Sequence, residues 1–461
     1  MSILAAFMVP HPPMIIPEVG CGSEEQIRET IRAYEQVAEE VAALKPETIV
    51  ITSPHTVMYT DYFHISPGKT TSGSFGRFRA PEVKFYEQYD CALVERISKL
   101  AGKEDFPAGT LGERDPSLDH GVMVPLWFIR KKYSGGKIVR IGLSGLPLTD
   151  HYRLGQMIQQ AAADLGRRVV FIASGDLSHK LKASGPYGFA PEGPAYDERI
   201  MDVCRRAAFG ELFAFEESFC EKAAECGHRS FVIMAGALDG QQVRAKALSH
   251  QDVTGVGYGV CTFYPEGEDR NRHFLSAALE KEKQEYQERA NKSDAYVRLA
   301  YAAVDAWVRE HRRIPVPDNL PVEMKEKRAG TFVSIHKNER LRGCIGTISA
   351  TEENIAEEII QNAISASSRD PRFSPITSSE LASLSITVDV LGEAEAVSST
   401  KDLDVKRYGV IVSHGHRRGL LLPDLEGVDT VEEQVRIARQ KGGIREDEDY
   451  RLERFEVVRH Y

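Results

Sequence analysis

The chain has 461 residues, enough for two or three domains, and its 42% hydrophobic and 27% charged residues are typical of a globular protein. A net charge of −10 argues against nucleic-acid binding as its main purpose, and no apolar run reaches the ~18 residues of a membrane span. The start of the chain lacks the basic region of a signal peptide, and the cysteines form no Cys-x-x-Cys pair. We therefore expect a cytoplasmic protein with reduced thiols, no nucleic-acid partner and no membrane contact.

The first 52 residues predict a strand, a helix and a second strand. An apolar run over 3–9 indicates a buried strand, and a second buried strand covers 48–52. Between them a helix is predicted to begin at Ser23, with Gln26 as its capping-box partner. Strands joined in this way are parallel, so their C-terminal ends share one edge of the sheet, where open α/β sheets bind ligands.

A histidine follows each of these two strands. His11 lies in Pro10-His11-Pro12, and His55 lies in Ser53-Pro54-His55. Neutral imidazole is the commonest metal ligand in proteins, so two histidines at one sheet edge predict a metal site. The alternative is that each histidine merely closes a loop next to a proline, which is the better explanation for either residue alone.

The next part of the chain is less regular. A polar, glycine-rich segment over 59–79 is either a substrate loop beside the metal or a surface excursion. A helix is predicted over 86–100. It is followed by Asp119-His120-Gly121, which precedes an apolar segment and is a plausible place for a polar group to face a pocket.

Strands are predicted over 137–143 and 168–174, with a helix over 153–165 between them. The second strand continues into Gly175-Asp-Leu-Ser-His179. By the same topological argument, His179 is a third histidine at the C-terminal end of a strand.

A mostly helical stretch over 195–224 leads to Glu225 and Cys226, just before another helix. A carboxylate among apolar neighbours needs a partner, because burying an unpaired charge is costly. A metal ion would serve, and so would Arg229. Further β-structure between 243 and 264 closes this region.

Three regions follow from these patterns: an α/β unit over 1–265, a charged helical linker over 266–291, and a smaller α+β unit over 292–461. In the last unit we predict strands over 331–335 and 341–348, joined across 337–340, and a further strand over 384–390. We also predict a helix capped by Ser293, a hairpin of 409–413 with 419–422, and a helix over 430–441 with a Thr430/Glu433 capping box and a stop at Gly442.

Two histidines and a carboxylate with open coordination positions suit non-haem Fe(II), which makes His11, His55 and Glu225 the predicted ligands. Cys226 is the alternative third ligand, and its thiolate would favour zinc or copper. The sequence does not decide between these neighbours. A hydrolase that uses the metal to activate water is a third interpretation.

The motifs Pro10-His11-Pro12, Ser53-Pro54-His55, Asp119-His120-Gly121 and Gly175-Asp-Leu-Ser-His179 resemble those of the LigB-like class III extradiol dioxygenases, a superfamily that includes the Memo proteins. The resemblance covers about 1–265 and implies an α/β fold with a mostly parallel central sheet.

It also implies a small catechol-like aromatic substrate and Fe(II) held by His11, His55 and a later glutamate that maps to Glu225. By the same resemblance, His179 is the catalytic acid and base, and His120 contacts the substrate. Memo proteins instead carry a cysteine near the third ligand position, which leaves open a metal-binding redox or adaptor protein without ring cleavage.

From about residue 290 onwards the chain resembles the AMMECR family, through Leu341-Arg-Gly-Cys-Ile-Gly346, Asp370-Pro-Arg-Phe373 and Gly419-Leu-Leu-Leu-Pro-Asp424. Arg342 and Arg372 are candidates to line a cleft for an acidic group, the alternative being a salt-bridged surface. Cys344 is a third cleft candidate, although it is more typical of a residue packed in a strand. The two halves together resemble a component of the AmmeMemoRadiSam system, which implies a radical-SAM protein partner and a homo-oligomer.

Overall fold

The computed structural model describes residues 2–337, 340–378, 380–425 and 427–461. The chain divides into two compact units, Met1–Lys281 and Glu282–Tyr461, and the division falls within the segment predicted as a linker. Within the described ranges, no helix is both long and apolar enough to cross a membrane.

A six-stranded mixed sheet with helices on both faces forms the N-terminal unit. The strands of this unit are β1 (Ile3–Val9), β2 (Thr48–Ser53), β3 (Phe63–His64), β4 (Thr70–Phe75), β5 (Ala80–Gln88), β6 (Ala108–Gly109), β7 (Lys137–Gly142), β8 (Val169–Ser174), β9 (Gln241–Gln251) and β10 (Tyr258–Glu268). The helices that begin in it are α1 (Pro17–Gly20), α2 (Arg28–Leu44), α3 (Cys91–Lys103), α4 (His120–Lys132), α5 (Leu148–Asp164), α6 (Glu192–Arg206), α7 (Glu217–Ala223), α8 (His228–Ala237) and α9 (Phe274–Lys292).

The order of strands in the sheet is β7-β2-β8-β1-β10-β9. The first four are parallel, whereas β10 and β9 are antiparallel to their neighbours. The predicted parallel relation of β1 and β2 is confirmed, but β8 lies between them. Val9 pairs with Ser174 and Thr52 pairs with Ala173, so the three strands end at the same level.

The strands are buried on both faces because each face packs against its own layer of helices. In β1, Ala6 and Met8 join the core beneath α3, α5, α6 and α8, while Phe7 and Val9 join the core beneath α2 and α4. Burying each large apolar side chain contributes about 1.5–3 kcal/mol. The sheet is therefore held by packing on both of its faces, and a site at its edge is built on buried strands.

Three of the predicted helix starts in the N-terminal unit are wrong, and one of them is that of the helix predicted over 153–165, which begins earlier, at Leu148. Ser23 begins a short 3-10 turn and α2 begins only at Arg28, and neither start has a side-chain cap. Residues 86–88 belong to β5, and α3 begins after Asp90, whose side chain accepts the N–H of Leu93 at 3.3 Å. The predicted glycine-rich loop contains β4, which pairs with β5 as an antiparallel hairpin.

The second unit, described by itself, is built on a seven-stranded antiparallel sheet and is α+β as predicted. Its strands are β11 (Thr331–Lys337), β12 (Arg340–Gly346), β13 (Leu384–Leu391), β14 (Glu395–Val397), β15 (Tyr408–His414), β16 (Arg417–Leu421) and β17 (Arg451–His460), and its helices after α9 are α10 (Ala295–Glu310), α11 (Val322–Glu326), α12 (Ile355–Ser368) and α13 (Val431–Lys441). The predicted turn over 337–340 includes Asn338 and Glu339, which lie outside the described residues.

Two helix caps of this unit were predicted from the sequence. Asp294, not the predicted Ser293, caps α10, because its carboxylate accepts the N–H groups of Tyr296 and Val297. One of the two hydrogen bonds of the capping box predicted for α13 is confirmed: Thr430 accepts the N–H of Glu433 at 3.2 Å. The predicted stop is also confirmed, because Gly442 ends the helix.

A close backbone contact joins the loop after β8 to the start of α8. A Cβ atom added to Gly175 would lie 2.1 Å from the Cα atom of Gly227. The absence of side chains at these two glycines brings Cys226 against Asp176, whose N–H donates to the Cys226 sulfur at 3.3 Å.

We expect Gly175→Ala to destabilise the N-terminal unit by about 1–3 kcal/mol, because a methyl group there forces the two backbones apart. Urea unfolding of the full chain measures the change. Gly102→Ala is the matched control, since an added Cβ at that helical position meets nothing within 4 Å and the change should be neutral or slightly stabilising. Equal stability of both variants would show that the close contact is not required.

Candidate metal centre

The edge formed by the C-terminal ends of the parallel strands collects the predicted site residues. His11 follows β1, His55 follows β2 and His179 follows β8. His120 is the first residue of α4, and Cys226 lies between α7 and α8. The shared edge predicted from the sequence is therefore where the structure brings these side chains together.

Two histidines and one cysteine form a compact group of ligand atoms. The Nε2 atoms of His11 and His55 are 3.0 Å apart, and the Cys226 sulfur is 3.6 Å from Nε2 of His11. All three ligand atoms lie within 4.8 Å of one another. Because metal–nitrogen bonds are about 2.0–2.1 Å and metal–sulfur bonds about 2.3 Å, the three atoms fit a single ion.

Hydrogen bonds set the tautomer of His11. The hydroxyl of Ser174 donates its only proton to the carbonyl of Gly121 at 2.6 Å, so its oxygen accepts from Nδ1–H of His11 at 2.9 Å. Nε2 therefore carries the free lone pair that a metal needs. The backbone N–H of His11 donates to a carboxylate oxygen of Asp176 at 2.7 Å, which fixes the residue from the other side.

Burial keeps the imidazoles neutral and the thiol protonated when no metal is bound. Desolvation lowers the pKa of His11 well below its ordinary value, and the nearby His55 lowers it further. Desolvation also lowers the pKa of His55. It raises the pKa of Cys226 well above its ordinary value, and the negative charges of Asp176 and Glu225 add to the increase.

Glu225 is turned away from this group. One of its carboxylate oxygens accepts the N–H of His228 at 2.6 Å, in the first turn of α8. Desolvation raises the pKa of the Glu225 carboxyl, and the charge of Arg229 counteracts part of that rise. Of the two third ligands left open by the sequence, the geometry favours Cys226.

His120 and His179 lie beside the group without joining it. The ring centroid of His120 is 3.9 Å from that of His55 and 5.5 Å from that of His11. Desolvation lowers the pKa of His120 to about 3, and the charges of His55 and His11 make smaller contributions to this shift. Nδ1 of His179 lies 2.7 Å from the carbonyl oxygen of Ala224. Because that nitrogen must donate to the carbonyl, Nε2 of His179 is left as a proton acceptor.

Two buried or half-buried aspartates support the site, and neither was singled out from the sequence. Asp119 caps α4 and accepts the hydroxyls of Ser53 at 2.6 Å and Thr56 at 2.7 Å, which ties that helix to the end of β2. Asp176 binds His11 and, through its N–H, Cys226. Each lies inside a sequence motif that contains a histidine. Asp176 could have been recognised because it follows a strand end, and Asp119 because it precedes an apolar helix as a cap residue does.

A cleft of ≈ 730 Å³ opens beside His55 and His120. Its walls are the β4–β5 hairpin, which includes Phe78 in its turn, and the start of α4. A larger surface groove of ≈ 1040 Å³, near Trp127 and Arg130, contains none of the predicted site residues.

In the second unit, the arginines predicted to line a cleft are paired with carboxylates. Nε of Arg342 donates to Glu380 at 2.9 Å, and Arg372 donates to Asp370 at 2.7 Å. Cys344 is half-buried in β12, where its N–H donates to Asp370 at 2.9 Å. This arrangement favours the salt-bridged alternative over an anion-binding cleft.

We expect Cys226→Ser and His11→Ala each to lower metal affinity by roughly a hundredfold or more, because losing outer partners alone costs about 10–100-fold. Glu225→Gln is the matched control. It should retain the metal, because an amide oxygen can still accept the N–H of His228. Metal content after oxygen-free purification measures this, and loss of metal from Glu225→Gln alone would restore the glutamate as the ligand.

The directions of the pKa shifts predict how many protons the ligand side chains release when a metal ion binds. Both ligand imidazoles are already neutral at pH 7, since their pKa values are lowered, so they release none. The thiol of Cys226 is protonated, since its pKa is raised, so a zinc ion should release about one proton. Calorimetry in buffers of different ionisation enthalpy counts these protons, and a count near two would contradict the assigned protonation states.

Comparison with known proteins is consistent with this geometry. Residues 5–261 match the family described as the catalytic LigB subunit of aromatic ring-opening dioxygenase, and residues 297–460 match AMMECR1. A protein of Clostridium acetobutylicum is 40% identical over 468 residues, which is 100% of this chain and 99% of that protein. A Thermotoga maritima protein is 49% identical over 167 residues, covering 36% of this chain and 96% of its own length.

Two uncharacterised proteins of known structure also match. One from Escherichia coli K12 is 14% identical with a TM-score of 0.37, covering 56% of this chain and 99% of its own. One from Pyrococcus horikoshii is 30% identical with a TM-score of 0.34, covering 36% and 88%. Because the ring-opening dioxygenase family matches more than half of the chain, the protein belongs to the LigB family and carries an AMMECR1 domain after its LigB domain.

Proposed function

We propose that the N-terminal unit is a metal-dependent oxidoreductase of the ring-opening dioxygenase type, acting on a catechol-like or other chelating aromatic substrate. The proposal rests on the convergence of His11, His55 and Cys226 at one sheet edge. The imidazoles of His120 and His179 lie beside this group and are not part of it. Membership of the LigB family supports the same reaction class.

The residues have separate roles in this proposal. His11, His55 and Cys226 hold the ion, and a bound Fe(II) would supply the redox chemistry and a point where two neighbouring substrate oxygens chelate. His179 takes a proton from a phenolic hydroxyl at Nε2, because its Nδ1 is occupied by the carbonyl of Ala224. His120 stays neutral and hydrogen-bonds a substrate oxygen, because its pKa is lowered to about 3.

Cys226 favours a second candidate function. A thiolate is a softer ligand than a carboxylate, and soft ligands favour zinc or copper over the Fe(II) of a two-histidine, one-carboxylate site. A redox or adaptor protein that binds such a metal, as the resemblance to Memo proteins implies, would not need ring cleavage. The two candidates differ in whether His179 has a proton to transfer.

We also propose that the LigB and AMMECR1 domains act in one pathway together with a radical-SAM protein. The presence of both domains in a single chain supports a shared pathway for the two, since their fusion keeps two activities or binding functions at equal amounts. The radical-SAM partner is what the resemblance to the AmmeMemoRadiSam system implies. The substrate of this pathway would be identified by direct screening.

The test is oxygen uptake by the iron-loaded protein with a panel of catechols. We expect His179→Gln to lower kcat by about 10²–10⁴-fold while the iron content stays unchanged, because the variant keeps the ligands and loses the acid and base. His273→Gln is the control, since this exposed histidine pairs with Asp239 elsewhere in the unit.

Unchanged turnover by His179→Gln would remove the catalytic role of His179. A wild-type protein that binds iron but consumes no catechol would favour the second candidate function.

A further inference from the structure

His179, the proposed proton acceptor, lies on a loop that joins β8 to α6 and covers residues 175–191. Loops of this length without a helix or strand of their own are uncommon in compact domains. A group that transfers a proton must come within about 2.6–3.2 Å of the substrate hydroxyl, so its loop has to be held precisely. The contacts that hold this loop therefore bear on the reaction.

A buried carboxylate from α6 anchors the loop one residue before His179. Asp197 is 2% exposed, and its Oδ1 accepts the N–H of Ser178 at 2.8 Å. Its Oδ2 lies 2.9 Å from Nε2 of His250, which is on β9. Because a carboxylate can only accept, this nitrogen carries a proton and donates it to Asp197. One side chain therefore ties the loop to both α6 and β9.

The fold makes room for this carboxylate and compensates for its burial. A Cβ atom added to Gly257 would lie 2.0 Å from Oδ2 of Asp197, so the absence of a side chain there admits the carboxylate. Desolvation raises the pKa of Asp197, and the hydrogen bonds from His250 and Ser178 counteract part of that rise. Because burying an unpaired charge is costly, the carboxylate is stable at this place only with its partners.

The anchored segment continues directly to the proton acceptor and to the turn before the metal ligand. The hydroxyl of Ser178 donates to the carbonyl of Ala223 at 2.8 Å, and Nδ1 of His179 donates to the carbonyl of Ala224 at 2.7 Å. Ala224 lies two residues before Cys226 in the chain. A shift of Ser178 would therefore change the position of the His179 ring relative to the metal ligands.

We propose that Asp197 and His250 are positioning residues for His179. His250 orients the carboxylate of Asp197, and the carboxylate fixes the N–H of Ser178. The loop thereby holds Nε2 of His179 where it takes the substrate proton. This inference rests on the proposed function, since it assigns the pair to the proton-transfer step.

The first test measures kcat, KM and iron content of the iron-loaded full chain with a panel of catechols. We expect Asp197→Ala to lower kcat by about 10–100-fold, because a displacement of about 1 Å at a reacting group can cost this much. KM should change by less than about threefold and the iron content should not change, because His11, His55 and Cys226 are intact.

A conservative variant separates the hydrogen bond from the charge. Asp197→Asn should keep kcat within about threefold of the wild-type value, since the amide oxygen accepts the N–H of Ser178 and the amide N–H donates to the other tautomer of His250. His250→Ala should lower kcat by about three- to tenfold, because the carboxylate remains but loses one hydrogen bond. Asp202→Ala is the matched control, because this exposed aspartate of α6 pairs with Arg206 at the surface.

A second measurement does not need turnover. Hydrogen exchange of the full chain, read by mass spectrometry in peptides that cover 175–182, reports how firmly this part of the loop is held. We expect Asp197→Ala to raise the exchange rate of the Ser178 N–H by about tenfold or more, because that N–H loses a charged acceptor. Asp202→Ala should leave the rate unchanged.

A wild-type kcat in Asp197→Ala would overturn the inference and leave the proposed function intact. A kcat of Asp197→Asn as low as that of Asp197→Ala would also overturn it, because the amide keeps the anchor. If Asp197→Ala loses its iron, His250→Ala decides: a lower kcat with full iron supports the inference, and an unchanged kcat overturns it. If the wild-type protein consumes no catechol, the proposed function fails, and the exchange rate alone then tests whether Asp197 anchors the loop of His179.

Discussion

The parallel pairing of β8 with β1 on one side and with β2 on the other is the constraint on which the site depends. Its register ends the three strands at one level, so the residue types that follow them meet at a single place. Asp176, in the loop after β8, then binds the N–H of His11 and the sulfur of Cys226. The contact between Gly175 and Gly227 is what admits Cys226 to this point.

The same arrangement solves an electrostatic problem. Without metal, neutral imidazoles and a protonated thiol place no net charge in the buried group, while Ser174 satisfies Nδ1 of His11. A divalent ion held by one thiolate leaves a single positive charge. The charge of Asp119 counteracts part of the lowering of the pKa of His11, and the charges of Asp119 and Asp176 do so for His55, so these carboxylates favour positive charge at this place. The metal-free and metal-bound states are therefore both compatible with burial.

Much of this could be predicted from the sequence because buried strands and the residues after them leave a clear pattern. The positions of His11 and His55 at one edge of the sheet were predicted correctly, because strand ends and parallel connections can be recognised in the sequence of an α/β protein. The sequence did not show whether Glu225 or Cys226 is the third ligand, because two adjacent side chains before a helix differ only in their direction. The β4–β5 hairpin was missed because half of the residues of β4 are exposed, so a hydrophobic pattern is weak there. Ser23 is not a cap because it lies within a 3-10 turn, and the α-helix begins five residues later, at Arg28, without a side-chain cap.

The hairpin also shows why net charge is a poor guide to a local site. The chain carries a charge of −10, which would repel an anionic substrate at long range. At physiological ionic strength, however, interactions between exposed charges fade beyond about 8 Å. Charges elsewhere on the surface are screened, whereas the charged side chains that line the cleft act at contact distance: Arg77, Lys84, Asp115 and Asp119. The charge that a ligand meets in a cleft is therefore decided by the side chains that line it, and the net charge of the chain does not predict it.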